Sequence, residues 1–266
     1  DEFGRSLAVG NFNCDFFLEL AIGVPGEAED GGVETGALHI LLRSLDEGLT
    51  GAGSQLWHQG VADVPGTSGN GDRFASTLAS GNFFGGSSVP QCSSLAVGIP
   101  DDAESPGGSV LVLLGTNAGL VADNARLLTV PDFLPDAGEF PPHPAPDANH
   151  TMGIALHAAD FGRGSATDLV IGFEGYLPFM GGEQSGMACI AYGAPMLGLL
   201  GEGRRCFSGE QFGFGAGSDA TFGTAFASGN VDDAAGRELV IGAHGTEQVF
   251  VLQNGLFSDG FEGMVD

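Results

Sequence analysis

Four times along this chain a short apolar run closed by glycine, a polar loop and a second glycine-closed apolar run follow one another. The first copy is FGRSLAVGNFNCDFFLELAIGVP, from Phe3 to Pro25. The others run from Phe74–Asn82 to Leu95–Pro100, from Met152–Asp160 to Leu169–Phe173, and from Phe222–Asn230 to Leu239–Ala243. Runs this short, bounded by turn-forming residues, are β-hairpins rather than helices. The glycines closing the second runs, Gly23, Gly98, Gly172 and Gly242, recur at steps of about 70 to 75 residues. Such periodicity fixes the fold class before any single motif is weighed.

Each unit continues with a third apolar run: Gly36–Leu42, Gly108–Leu114, Gly186–Tyr192 and Glu247–Leu252. A fourth follows in three units, at Gln55–Gln59, Ala125–Val130 and Arg204–Ser208, and is nearly empty in the last. About four antiparallel strands per unit is what a propeller blade requires. The expectation is an all-β, β-propeller-like domain over 1–266, with blades at about 1–60, 61–131, 151–209 and 210–258. A proline-rich insertion spans 131–150, and an acidic tail spans 258–266. The first strands, carrying Ala8, Ala79, Ala158 and Ala227, suit a crowded centre; Phe3, Phe74, Met152 and Phe222 are expected to fill gaps between blades.

Composition narrows the partners. The formal charge is −26, and all eight basic side chains are arginines. Nucleic acid needs a basic footprint, and so does an anionic membrane surface, so neither is expected. No apolar run is long enough to cross a bilayer. Opening on DEFG, already inside a repeat, the chain is expected to be a processed product or a fragment. Its four cysteines lack metal or redox spacing and suggest two disulfides, with buried free thiols as the alternative. Cys189 and Cys206 fall on the third and fourth strands of unit three; Cys14 and Cys92 fall in equivalent loops of units one and two.

The order FG, LAVGN, carboxylate loop, LAIGVP resembles the FG-GAP repeat of integrin α-chain propellers and their bacterial secreted relatives. The junction SQLWHQG…GDRFASTLASGNF is similar to that between two such repeats. The resemblance implies a β-propeller, usually of seven blades, where this chain supplies four. Four blades closing alone, completion by another chain and blades absent upstream all remain open. It also implies a calcium loop of EF-hand type, in which alternate oxygens curl around the ion. In unit one these are Asn11, Asn13, Asp15, the carbonyl of Phe17 and Glu19; in unit four, Asn230, Asp232 and Glu238 remain. Hydrogen-bonded turns are the alternative, and the favoured one beyond unit one. Any calcium bound is expected to be held weakly.

Catalytic signatures are missing: there is no nucleophile elbow, P-loop lysine or HExxH. His39, His58 and His157 are expected on strands as packing residues, and Trp57 as an outer-strand packing residue matching Cys206. Asn149-His150-Thr151 is a glycosylation sequon. The resemblance therefore implies a secreted or cell-surface, non-enzymatic module for adhesion, scaffolding or self-assembly, contacting a protein, a glycan or copies of itself. The alternative is the propeller of an extracellular enzyme or carbohydrate-binding module acting on polysaccharide or lipid.

Overall fold

The computed structural model describes residues 1–29, 32–46, 48–85, 92–133, 150–162, 165–175, 185–212, 221–231 and 236–253. Unit one forms a sheet in the order β1 (Ser6–Gly10), β2 (Glu19–Val24), β5 (Ala37–Ser44), β6 (Gly48–Trp57). A two-stranded ribbon, β3 (Ala28–Glu29) and β4 (Val33–Glu34), sits in its β2–β5 connection. Unit two is β7 (Thr77–Gly81), β8 (Ser94–Ile99), β9 (Ser109–Thr116) and β10 (Gly119–Thr129). Unit three is β11 (Met152–Ala159), β12 (Asp168–Phe173), β13 (Met187–Ala194) and β14 (Gly198–Ser208). Among the described residues unit four has three strands, β15 (Phe222–Gly229), β16 (Glu238–Ala243) and β17 (Gln248–Leu252). The fold is all-β and β-propeller-like, with first strands abutting in the sequence β1, β7, β11, β15.

Period-two alternation turns one face of each sheet toward its predecessor and the other toward its successor. Three apolar layers result. Ala8, Ala21, Leu38 and Ile40 of unit one meet Leu95, Val97, Leu111 and Leu113 of unit two. Ala79, Ala96, Val110 and Val112 meet Leu169, Ile171 and Phe173 of unit three. Val170, Ala188 and Ile190 meet Leu239, Ile241 and Leu252 of unit four. Each fully buried Leu, Ile or Phe contributes about 1.5–3 kcal/mol. Hydroxyls tie the layers: Ser80 Oγ donates to the Val9 carbonyl at 2.7 Å, and His157 Nε2 lies 2.9 Å from Ser228 Oγ.

The Phe-Gly turn opening each unit makes the closest approach. Its second residue is left-handed throughout, even where it is Ala75. Its first residue lies against a left-handed glycine at the head of the preceding unit's third strand. Gly108 and Gly186 form parallel bridges with Met152 and Phe222, and Phe74 N–H donates to the Thr35 carbonyl beside Gly36 at 2.9 Å.

Four expectations need correction. Phe74, Met152 and Phe222 are fully buried between sheets, but Phe3 is 65% exposed, because no described sheet packs against the front of unit one. The fourth strands start six or seven residues earlier than their apolar runs, at Gly48, Gly119 and Gly198. Left-handed glycines turn the chain there, and a bulge, at Ile40/Leu42 in unit one, absorbs the register shift. Trp57 is a buried packing residue, but it aligns with Phe207, since Leu38 pairs with Trp57 as Ala188 pairs with Phe207. His39 and His157 lie on strands, and His58 falls one residue beyond β6.

Candidate functional site

The β1–β2 loop gathers every unit-one residue singled out for calcium. Asn and Asp side chains here do what their short polar arms favour, which is to bond backbone N–H groups two residues on. Asp15 N–H donates to Asn13 Oδ1 at 3.1 Å, Phe17 N–H to Asp15 Oδ1 at 2.6 Å, and Asn13 Nδ2 to Asp15 Oδ2 at 2.9 Å. Asn11 Nδ2 donates to the Asp15 carbonyl. The loop is anchored from outside by the Cys14–Cys92 disulfide and by Ser93 N–H donating to the Asn11 carbonyl at 2.7 Å. Cys189–Cys206, the second disulfide, joins directly opposed residues of β13 and β14.

Glu19 closes the loop from beneath. It is fully buried, its Oε2 accepts Phe12 N–H at 2.8 Å, and its Oε1 has no hydrogen-bond partner. Burial, reinforced by the nearby Asp15 charge, raises its pKa above the ordinary carboxylate value against the lowering effect of the Phe12 N–H. The same post recurs at the first residue of β12 and β16. Asp168 Oδ2 accepts Phe161 N–H at 2.9 Å, and its Oδ1 accepts Gly193 N–H at 2.9 Å. Glu238 Oε2 accepts Val231 N–H at 2.8 Å, and its Oε1, like that of Glu19, has no partner. In unit two Ser94 holds this position. Asn230 directly follows β15, eight residues before Glu238, while Asp232 and Asn149 lie outside the described residues.

An oxygen-only set of Asn11, Asn13, Asp15, the Phe17 carbonyl and Glu19 suits calcium chemically, and a buried carboxylate oxygen without a partner fits such an ion. With only two carboxylates among five donors such an ion would be held weakly, and among the described residues no three His, Cys, Asp or Glu side chains cluster to hold a metal. Zinc or another soft metal does not suit it, since the only sulfur in the loop is in a disulfide.

Sequence reasoning missed Asp72. It is fully buried, accepting Gly69 N–H at 2.6 Å and Ala103 N–H at 3.0 Å. Burial first, then Asp102 and Asp101, raise its pKa. Arg73 pairs with Asp101 at 3.0 Å. The signal was hidden because Ala103 is 31 residues distant.

Two sheet faces complete the inventory. On the front of unit one, Phe3, Leu7, Val9 and Leu56 are exposed, with Leu7, Ile22, His39 and Leu56 in one cross-strand row. Behind unit four a groove of about 700 Å³ is bordered by Glu174, Ala225, Gly242, His244, Glu247 and Val249. Among the described residues no helix is long and apolar enough to cross a membrane. The FG-GAP repeat family model matches residues 3–41, from the opening turn through the loop into β5. No curated protein matches the chain.

Proposed function

We propose that this chain, whose residues 3–41 match the FG-GAP repeat family and whose sheets stack in a β-propeller-like fold, is an extracellular, non-enzymatic module for adhesion or scaffolding. Two disulfides fit an oxidising, extracellular setting. The front face of unit one carries the reading: Leu7, Val9 and Phe3 stand exposed where the matching residues of later units are covered by a neighbouring sheet. A contiguous exposed apolar surface of this kind marks a contact with another protein. Beads coated with the chain are expected to adhere to a panel of cell surfaces. The double substitution Phe3→Asp, Leu7→Asp is expected to lower retention about tenfold, as loss of a buried apolar anchor does. Equal retention by the variant would sink the assignment of this face.

Calcium trims the first loop in this reading, with Glu19 as the buried ligand. A carboxylate whose folded pKa is raised gives its stabilisation in full below the unfolded value and loses it as pH rises through the folded one. Chelator-treated protein should therefore gain stability as pH falls from 7 toward the carboxylate range. Calcium at about 10 mM, against an affinity of roughly 10⁻⁴ to 10⁻³ M, should add about 1.4 to 2.7 kcal/mol at pH 7 and flatten that dependence. Glu19→Gln should show neither effect beyond the background of the −26 charge. Urea midpoints across pH, with and without calcium, decide; a variant indistinguishable from the parent rules out this role for Glu19.

A further inference from the structure

The three occupied junctions between sheets share one requirement. The residue heading the third strand of the accepting sheet is Gly36, Gly108 or Gly186, each left-handed, with φ of +88°, +88° and +73°. A Cβ built on Gly36 would lie 2.5 Å from the Phe74 carbonyl oxygen, and one on Gly108 2.6 Å from that of Met152. On Gly186 it would overlap the Phe222 carbonyl more closely still. Real Cβ atoms essentially never approach within 3.0 Å, and the obstructing atoms are backbone, which cannot swing aside.

Unit four, whose rear face none of the described sheets covers, breaks the pattern. Ala243 pairs with Gln248 as Val24 pairs with Ala37 and Ile99 with Ser109, so Glu247 stands where Gly36 and Gly108 stand. It keeps the left-handed backbone, with φ of 55°. Its Cβ therefore occupies the space that the opening turn of a following sheet needs. A second difference points the same way. Between the second and third strands, units one and two use residues 25–36 and 100–108, whereas unit four turns in a single 3-10 turn, His244–Thr246. The carbonyl beside Gly36 that receives Phe74 N–H belongs to that longer connection.

The remainder of unit four's rear face is still suited to a neighbour. Ala225 pairs with Gly242 and Gly242 with Val249, while Ala227 pairs with Val240 and Val240 with Val251. This small, apolar surface repeats that of Ala8, Ala21 and Gly23, and Val249 is 66% exposed. The Glu247 Cβ is thus the one steric obstruction on a face that is otherwise small and apolar.

We propose that Glu247 makes unit four a terminal sheet, giving the stack a polarity: its front face at Phe3 docks onto sheets of the same repeat whose third strand opens on left-handed glycine, and unit four of a second copy is not such a sheet. The inference rests on the contact role of the front face and names the class of its partner. Three junctions inside the chain supply the template, and the partner sheet continues that interface beyond unit one.

The test needs only the 266-residue chain and is independent of cell adhesion. Light scattering over a concentration series should give the parent a constant mass near 27.0 kDa. Glu247→Gly, which keeps the left-handed backbone and removes the Cβ, should associate head to tail and at least double its mass at high concentration. Adding Phe3→Asp should return it to the parent's mass, and Glu247→Ala, which retains the Cβ, should behave as the parent does. A folded Glu247→Gly variant that stays monomeric overturns the proposal, as does association that survives Phe3→Asp. Parent oligomers dissolved by Phe3→Asp, or an alanine variant associating like the glycine one, also overturn it. Glycine is the less strained residue at this φ, so the key variant is not expected to lose its fold.

Discussion

Gly108→Ala should lower the unfolding free energy by about 3 kcal/mol or more, whereas Gly4→Ala should cost only about 1–2 kcal/mol. Both glycines are left-handed, at φ +88° and +84°, so the backbone penalty of an added Cβ is shared. What differs is the surroundings. Nothing lies within 4 Å of a Cβ on Gly4, but one on Gly108 meets the carbonyls of Met152 and Pro100 at 2.6 and 2.7 Å. Relief requires sheets two and three to separate locally, breaking the Met152 N–H bond to the Gly107 carbonyl (2.6 Å) and opening the layer around Met152. A lost backbone hydrogen bond adds about 1 kcal/mol, and lost packing adds to that. Urea denaturation of the two variants side by side gives the comparison. Equal losses would show that neighbouring sheets do not meet at this glycine.

Removing the Cys14–Cys92 bridge by a double alanine substitution should cost about 4 kcal/mol. The bridge spans 78 residues, so it closes most of two units into one loop of the unfolded chain. Loop-closure entropy then gives about 4.5 kcal/mol as an upper figure, against about 3 kcal/mol for the 17-residue Cys189–Cys206 loop. Neither Cys14 nor Cys92 is fully buried, so little packing is lost with the first pair. Cys189 is fully buried among unit-three apolar side chains, and its removal adds a packing loss to the entropic one. The unfolded ensemble also opens when the long loop is cut, so the denaturant slope should steepen. A loss below about 1 kcal/mol with an unchanged slope would place the effect of the bridge outside the unfolded state.

Where the letters themselves carried the geometry, they were legible. Leu20–Gly23 and its three relatives had to be strands because apolar runs that short, closed by glycine, cannot make a helix. The Cys189–Cys206 pair was expected from neighbouring strands and Cys14–Cys92 from equivalent loops of adjacent units, with free thiols as the alternative; both disulfides are present. The polar halves of the fourth strands were not legible: Gly48–Ser54 has no alternation, and its extension follows from the turn at Gly48. Phe3 was misplaced because its environment depends on a neighbour rather than on its own motif. The Asn and Asp pattern of the first loop was readable, but its buried anchor was not distinguishable from a surface carboxylate until Glu19 was found beneath Phe12. Asp72 was invisible for a related reason, its partners coming from both sides of a hairpin.

The bridge at Cys14 fastens the first two sheets to each other, whereas among the described residues the last sheet has three strands and packs on the third alone. Because among the described residues each sheet packs mainly on those next to it, resistance to opening is distributed along a line, as in other stacked repeats. Loosening therefore starts at the carboxyl-terminal end and travels backward, reaching the welded amino-terminal pair last. A stack built this way can open its last sheet while its first two stay joined.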